Sequence, residues 1–489
     1  MHLFKKSSIS DNTSAERHIS RRDFLKKASL VSAVAAVAPS VLTSCSDEEI
    51  TKSNRPMPSM SHTKGKMTYH YNANTGNSVS ILGYGTMHLP LLRNAVETPG
   101  VDNIDQEAVN RSVDYAIDHG VNFFNTSPAY CNGFCERAIG KALSRYPRNR
   151  FLLASKLSNF EPEQQTTEAS KAIYYNSFKE LQVDYIDLYM LHNIGIGGIE
   201  NFNRRFIDNG MLEFLKQERK KGKIRNLGFS FTGDIDVFNH AMKMHDEGEI
   251  SWDGAQISLN YVDWFFPSGG KHSDNDSQYL YNELNRRNIP VNVVDPLLGG
   301  QLGTVSRPLS REMYRRQPDG TISSWAMRFA GSLSGVKTIV VGMVYIEHLK
   351  DNIATCSPLR PLTKDDINFL KHCAARITRH PIIKCVGCMD CMPCPYGVDI
   401  VGTFSHYNLC LNEDNIILDP DGPDPEYDKK RRAFLVGLNK SVDRLRQADH
   451  CIGCGECLDK CTRHIDIPGR MKHISEYSEK LRTNRLPRL

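Results

Sequence analysis

The sequence predicts an α/β architecture: a (β/α)8 TIM barrel followed by a small cysteine-rich domain. Three observations predict it. Eight short β-rich runs alternate with segments of helical spacing between about residues 78 and 355. Eight such units over roughly 290 residues match a TIM barrel in count and length. Eight of the 14 cysteines crowd into two runs after residue 384, in a chain of 489 residues. That length accommodates one large barrel and one small domain.

The runs are Val79–Leu82, Val121–Phe124, Phe151–Ala154, Tyr185–Leu191, Ile224–Phe229, Gly254–Ser258, Val291–Val294 and Thr338–Val341. Between them, 106–119 places Ala108, Val109, Val113, Ala116 and Ile117 on one helical face. A doubly wound sheet is the competing fold. It would carry a glycine-rich phosphate loop after its first strand, and Gly83-Tyr84-Gly85-Thr86 lacks the third glycine and its spacing.

Composition excludes other classes. Hydrophobic content is 40% and charged content 24%. These values exclude wholesale disorder, a collagen-like fibre and a polytopic membrane protein. The net charge is +5, of which residues 1–44 carry +4. The nearly neutral remainder gives no support for a nucleic-acid partner.

The N-terminus reads as an address. Arg21-Arg22-Asp23-Phe24-Leu25 precedes an uncharged apolar run from Ala28 to Leu42. The run is short for a membrane span, which takes about 20 residues. The twin arginine matches a Tat export signal. Leu42-Thr43-Ser44-Cys45 resembles a lipobox, which makes Cys45 the lipidated residue and a membrane anchor. Simple cleavage with Cys45 incidental is the alternative. Ser46-Asp47-Glu48-Glu49 resembles an acidic surface-export signal and reads equally well as a solvated linker. The expectation is a signal peptide over 1–44, a flexible tether over 45–66, and a periplasmic, outer-membrane or cell-surface lipoprotein.

In a TIM barrel the chemistry gathers where strands end. The residues there are Gly85-Thr86-Met87, Asn125, Lys156, His192, Ser230, Gln256, Pro296 and Gly342, with Tyr130 on the loop after Asn125. A Tyr, a Lys and a His on neighbouring loops suit carbonyl chemistry. A carbonyl that accepts hydride becomes an alkoxide and needs a proton. Tyr130 is the candidate acid, Lys156 the charge expected to lower its pKa from about 10, and His192 the donor orienting the carbonyl oxygen.

These residues carry a resemblance. Gly120-Val121-Asn122-Phe123-Phe124-Asn125-Thr126-Ser127-Pro128-Ala129-Tyr130 is similar to the aldo-keto reductase signature. Gly133, Glu136 and Gly140 follow it in register. So do Ala154-Ser155-Lys156, Asp187-Leu188-Tyr189-Met190-Leu191-His192, Gly228-Phe229-Ser230, Gln256 and Asn352. The resemblance spans roughly 67–355, and the barrel is assigned to 67–365. It implies hydride transfer between a nicotinamide and a carbonyl or alcohol, a sugar among the candidates. Catalysis would rest on Tyr130, Lys156, His192 and Asn125. The cofactor would be held by Gly85, Thr86, Met87, Ser230, Gln256, Pro296, Gly342 and Asn352. Two departures stand out. Asn125 replaces the family's aspartate, so Lys156 loses an ion-pair partner. The positions for an NADP 2′-phosphate grip are Gly342 and His348, neither a fixed cation. The choice among NADP, NAD and neither stays open.

Cys385, Cys388, Cys391 and Cys394 form C-x2-C-x2-C-x2-C, and Cys451, Cys454, Cys457 and Cys461 form C-x2-C-x2-C-x3-C. This is ferredoxin-type spacing, so 366–489 reads as a ferredoxin-like 4Fe-4S domain. The pairing that follows is Cys385, Cys388 and Cys391 with Cys461, and Cys451, Cys454 and Cys457 with Cys394. A single cluster, ligation within each motif, zinc and disulfides are the alternatives. The segment 418–428 reads as a surface loop and 429–448 as a basic helix, solvated or docking an electron-transfer partner. Three functions remain: an exported reductase, an iron–sulfur electron-transfer protein serving a quinone or redox partner, and a catalytically silent anchored barrel.

Overall fold

Eight parallel strands close into a barrel in the computed structural model, in the order β10-β3-β4-β5-β6-β7-β8-β9. The structure describes residues 66–72, 76–92, 103–380, 382–417, 424–461 and 463–483. The signal peptide, Cys45 and nearly all of the tether lie outside the described residues. So does most of the 418–428 loop. Among the described residues, no helix is long and apolar enough to cross a membrane.

The strands are β3 (Leu82–Gly85), β4 (Phe123–Asn125), β5 (Leu152–Leu157), β6 (Leu188–Leu191), β7 (Leu227–Phe231), β8 (Ala255–Ser258), β9 (Val291–Val294) and β10 (Val336–Gly342). Each is followed by a helix on the outside of the barrel. Gln106–Asp118 is one, with Val109, Val113, Ala116 and Ile117 buried as its spacing predicts, and Ala108 only partly covered. Side chains of Phe123, Ala154, Leu188, Met190 and Val340 form a separate small core with Val79.

The first strand differs from expectation. The run Val79–Leu82 straddles two elements. Its first half ends a two-stranded antiparallel hairpin, β1 (Tyr69–Asn72) with β2 (Asn77–Ser80). Only from Leu82 does the chain enter the barrel. A continuous apolar run cannot show where a strand changes sheet, because both halves need buried side chains.

Helix–helix closeness is set by Gly140 in the helix Phe134–Leu143. A Cβ there would stand 2.2 Å from the Glu180 carbonyl oxygen, so only glycine admits the neighbouring helix Thr167–Leu181.

The helix Lys364–Arg379 still belongs to the barrel. Its Leu370, Cys373, Ala374 and Ile377 join the barrel core. A second core starts at Ile383 and runs to Leu481. It is built by the helices Ile400–Asn412, Tyr427–Ser441 and Ile467–Thr483, with the first cysteine run leading into the first helix and the second run between the last two. The basic segment expected over 429–448 is helical only to Ser441.

Candidate functional site

A chain of hydrogen bonds joins the strand ends inside the barrel. Lys156 is fully buried. Its Nζ donates to Asn125 Oδ1 at 2.8 Å, to the Thr126 carbonyl at 2.8 Å and to the Tyr130 hydroxyl at 3.1 Å. Asn125 Nδ2 in turn donates to Gln256 Oε1 at 2.9 Å. An aspartate at 125 could not make that last bond, so the amide couples the lysine to Gln256 across the barrel. The parallel register that permits this pairs Asn125 with Ala154, two residues before Lys156.

His192 closes the group from β6. Its ring lies edge-on to Tyr130, with centroids 5.8 Å apart. Nδ1 sits 2.6 Å from Ser158 Oγ and 3.2 Å from Ser127 Oγ. With the Ser158 hydroxyl donating, the ring proton stands on Nε2, ready to be donated. Burial drives the imidazole well below its ordinary pKa, and Lys156 and Arg205 act the same way, so His192 is neutral. Arg205, fully buried, donates to the His192 carbonyl at 2.7 Å and to the Asn193 carbonyl at 3.2 Å. It is held in a short π-helical segment, Asn203–Ile207.

The electrostatics reverse one expectation. Burial pushes the Tyr130 hydroxyl far above the usual tyrosine range, with Asp295, Cys135 and Asp390 acting in the same direction. Lys156 is itself desolvated, which lowers its own pKa to about 7. Its one opposing influence is Glu136, a fully buried carboxyl that accepts from Ser155 Oγ at 2.5 Å. Burial raises Glu136 to about 7 as well.

The remaining predicted residues divide into two groups. Thr86 Oγ1 donates to Thr126 Oγ1 at 2.8 Å, which ties the first loop to the second. Ser230 Oγ accepts from the Asn193 amide at 2.8 Å beside His192. Pro296 is buried next to Asp295, and Met87 offers its carbonyl to the Cys131 thiol. Gly85 and Gly342 pair in register across β3 and β10. Asn352 is buried in the helix Ile346–Cys356, and among the described residues no hydrogen bond links it or Gly342 to Lys156, Tyr130 or His192. His348 is depressed below its ordinary pKa by burial, so it offers no cation near neutral pH.

In the second domain the cysteines fall into two sets. Cys391 lies near Cys385 and Cys461 and also near Cys457 of the other set, and Cys388 lies near Cys385. Cys457 lies near Cys451, Cys454 and Cys394. Cys394, Cys451, Cys454 and Cys457 all line one cavity, with Cys391 at its edge and Ile400, Ile467 and Met471 closing it. The backbone amides of Gly387 and Ile465 donate to the sulfurs of Cys385 and Cys461 at 3.4 and 3.5 Å. All eight cysteines are unpaired as disulfides. Soft sulfur ligands around an apolar-walled space, with amide donors to sulfur, fit an iron–sulfur cluster.

Comparison with known proteins agrees with both halves. The aldo/keto reductase family profile matches residues 81–375, more than half of the chain. The chain belongs to the aldo/keto reductase family. A 4Fe-4S dicluster domain profile matches residues 384–465. L-galactose dehydrogenase of Arabidopsis thaliana is 26% identical over 311 residues, 60% of this chain and 89% of that protein. Aldo-keto reductase YhdN of Bacillus subtilis is 30% identical over 321 residues, 58% of this chain and 92% of that protein. Among solved structures, aldo-keto reductase AKR11C1 from Bacillus halodurans superposes with a TM-score of 0.48 at 20% identity. It covers 63% of this chain and 96% of that one.

As an aldo/keto reductase, the chain is an oxidoreductase that carries a 4Fe-4S domain beyond its barrel. The sequence did not single out Ser158, Arg205, Asp295 or Gln301. Ser158 stands two residues after Lys156, on the same face at the end of β5, and that alternation was the one available signal. Arg205 and Gln301 sit between strands with no periodicity to mark them.

Restoring a carboxylate tests the electrostatics. Asn125→Asp places a negative charge beside Lys156 Nζ, so the lysine pKa rises above about 7. In the parent, the unfolded chain keeps this lysine protonated up to about pH 10.4 while the folded chain releases it near 7. The unfolded state therefore binds more protons between these values, and this group makes stability rise with pH there. Urea unfolding across pH 7 to about 10 is expected to show a smaller rise for Asn125→Asp than for the parent. An unchanged slope contradicts the assignment.

Proposed function

We propose that this oxidoreductase interconverts a small carbonyl compound and its alcohol by hydride transfer from or to a nicotinamide, a sugar being the first substrate class to test. The observation that carries the reading is the Lys156–Tyr130 contact of 3.1 Å beside a neutral His192. A bound nicotinamide would supply the hydride. Ser230, Gln256, Pro296 and the Gly85–Met87 turn would hold it. Gly342 and His348 provide no fixed cation, so NADH fits these positions as well as NADPH.

The chain's own residues do the rest. His192 Nε2 donates to the substrate oxygen and sets its orientation. As negative charge develops on that oxygen, Tyr130 gives up its proton. The phenolate left behind is stabilised by the hydrogen bond from Lys156 Nζ. Arg205 keeps His192 in place through its carbonyl, and the Ser158 hydroxyl fixes the tautomer. In the oxidation direction the proton moves back along the same path.

Removing the acid is the direct test. Tyr130→Phe is expected to lower kcat about 10²–10⁴-fold with nicotinamide binding retained. Turnover near the parent value would remove Tyr130 from the role of acid. A second reading follows from the missing cation at Gly342 and His348: an electron-transfer protein whose barrel does no nicotinamide chemistry and whose clusters serve a quinone or redox partner. In that case neither NADPH nor NADH quenches the intrinsic fluorescence on titration.

The two cysteine sets support two 4Fe-4S clusters, with Cys461 completing the first and Cys394 the second. Anaerobically prepared protein is expected to carry about eight iron and eight sulfide per chain. About four of each would support a single cluster.

The Arg21-Arg22 pair and Cys45 support folded export followed by lipid anchoring on a bacterial envelope. Export through Tat also suits a protein whose clusters are inserted before it leaves the cytoplasm. Replacing both arginines with lysine is expected to retain the protein inside the cell. Fractionation that still finds it anchored outside would rule out the Tat assignment.

A further inference from the structure

The cysteine domain is docked on the catalytic end of the barrel, and it is the first cysteine loop that touches it. Gln301 lies on the loop that follows β9, beyond Asp295 and Pro296. Its Nε2 donates to the Cys385 carbonyl at 2.6 Å and to the Ile383 carbonyl at 3.2 Å. Gly299, in the left-handed region at φ +64, meets Val386 backbone to backbone. A Cβ on it would stand 2.3 Å from Val386 Cα, so no other residue permits this approach.

Other loops at the same end join in. Lys384 Nζ donates to Ser268 Oγ at 3.0 Å, on the loop after β8. Arg463, two residues past Cys461, pairs with the buried Asp263 at 3.0 Å and also donates to Asn275. His88, on the loop after β3, is hydrogen-bonded to the backbone of Gly387 between Cys385 and Cys388.

We propose that the first cysteine loop is a wall of the barrel's catalytic pocket, so that loading the first cluster builds the surface against which the carbonyl substrate binds, with Gln301 as the positioning residue that joins the two. Residues 382–389 form no helix or strand. Gly387 and Met389 both take positive φ. Such a segment has little regular hydrogen bonding of its own, and the two sulfur–iron bonds at Cys385 and Cys388 are what would fix its path. A second cluster would occupy the cavity lined by Cys394 and Cys457, and none of the contacts described above involves a residue of the Cys451–Cys457 run. The two clusters therefore differ in what they hold: the first fixes the pocket, the second fixes its own domain.

The kinetic arm of the test rests on the reductase reading, and the exchange arm does not. In the full-length, anaerobically loaded chain, hydrogen exchange is compared between parent, Cys388→Ala and Cys454→Ala. Amides over 262–276 and 297–304 are expected to exchange about tenfold faster in Cys388→Ala and within about twofold of the parent in Cys454→Ala. No change in either variant, or an equal rise in both, overturns the proposal. Gln301→Ala covers the case in which Cys388→Ala does not fold. It is expected to keep its full iron content while KM rises about tenfold and kcat stays within about twofold. Gln301→Asn should recover part of the KM. Complete iron with an unchanged KM overturns the positioning role of Gln301. A parent chain that reduces no carbonyl would count against the reductase reading alone, and the exchange result would still decide whether the loop is a wall.

Discussion

The buried ammonium of Lys156 is the constraint around which the barrel's catalytic end is arranged. A charge without solvent is costly unless hydrogen bonds replace water. Lys156 has three, to Asn125, Thr126 and Tyr130, and these use its three donors completely. The fall of its pKa from 10.5 to about 7 corresponds to on the order of 5 kcal/mol of preference for the neutral amine. Tyr130 keeps its proton firmly because burial, joined by Asp295, Cys135 and Asp390, opposes the phenolate. His192 stays neutral because Lys156 and Arg205 both oppose its protonation. Glu136, on the far side of Ser155, is the remaining counter-charge, and it too is close to half protonated near neutral pH. Asn125 is what makes the site this balanced. It satisfies the lysine geometrically and leaves its charge uncompensated.

A site so balanced responds to small changes in what surrounds it, and the surroundings are not all barrel. Asp295 comes from the end of β9 and Asp390 from the first cysteine loop, and both act on the same hydroxyl. The barrel alone would leave this end as a set of loops open to water, with a higher dielectric and weaker interactions. Docking through Gln301, Gly299 and the Arg463–Asp263 pair covers part of it. The buried Arg463–Asp263 pair is a poor source of stability by itself, since desolvation offsets its attraction. Its value is geometric: it admits one docking orientation, because any other would strand a buried charge.

The barrel was legible in the sequence because its signals are periodic. Eight apolar runs at regular intervals and a helix such as Gln106–Asp118 follow from which faces must be buried. The catalytic group was legible for a different reason: a TIM barrel presents its strand ends together, so Asn125, Lys156, His192 and Gln256 could be placed on one face before any coordinates. The first strand was misplaced because Val79–Leu82 serves two sheets in succession, and burial looks the same in both. The charge balance was not legible at all. Spacing put Lys156 near Tyr130 and suggested a lowered tyrosine pKa, but the sign of the effect depends on how completely the lysine itself is dried. Residues such as Arg205, Asp295 and Gln301 act on the site from irregular segments, where sequence carries no period to read.

The cysteine domain raises the question of why a two-electron barrel should carry one-electron clusters. Its core is modest, assembled from three helices and the residues between Ile383 and Leu481. Small domains with limited cores are commonly fixed by metal or disulfide cross-links. Eight sulfurs distributed between two loops, with each set drawing one cysteine from the other loop's run, would cross-link the domain twice over. Such cross-bonding needs no electron flow to be useful. A hydride moves between carbon atoms and never has to be divided into single electrons. On this argument the first cluster would answer a structural demand: it would hold Cys385–Cys391 against Gln301 and Gly299, where movement would open the pocket that Lys156 and Tyr130 require to be dry.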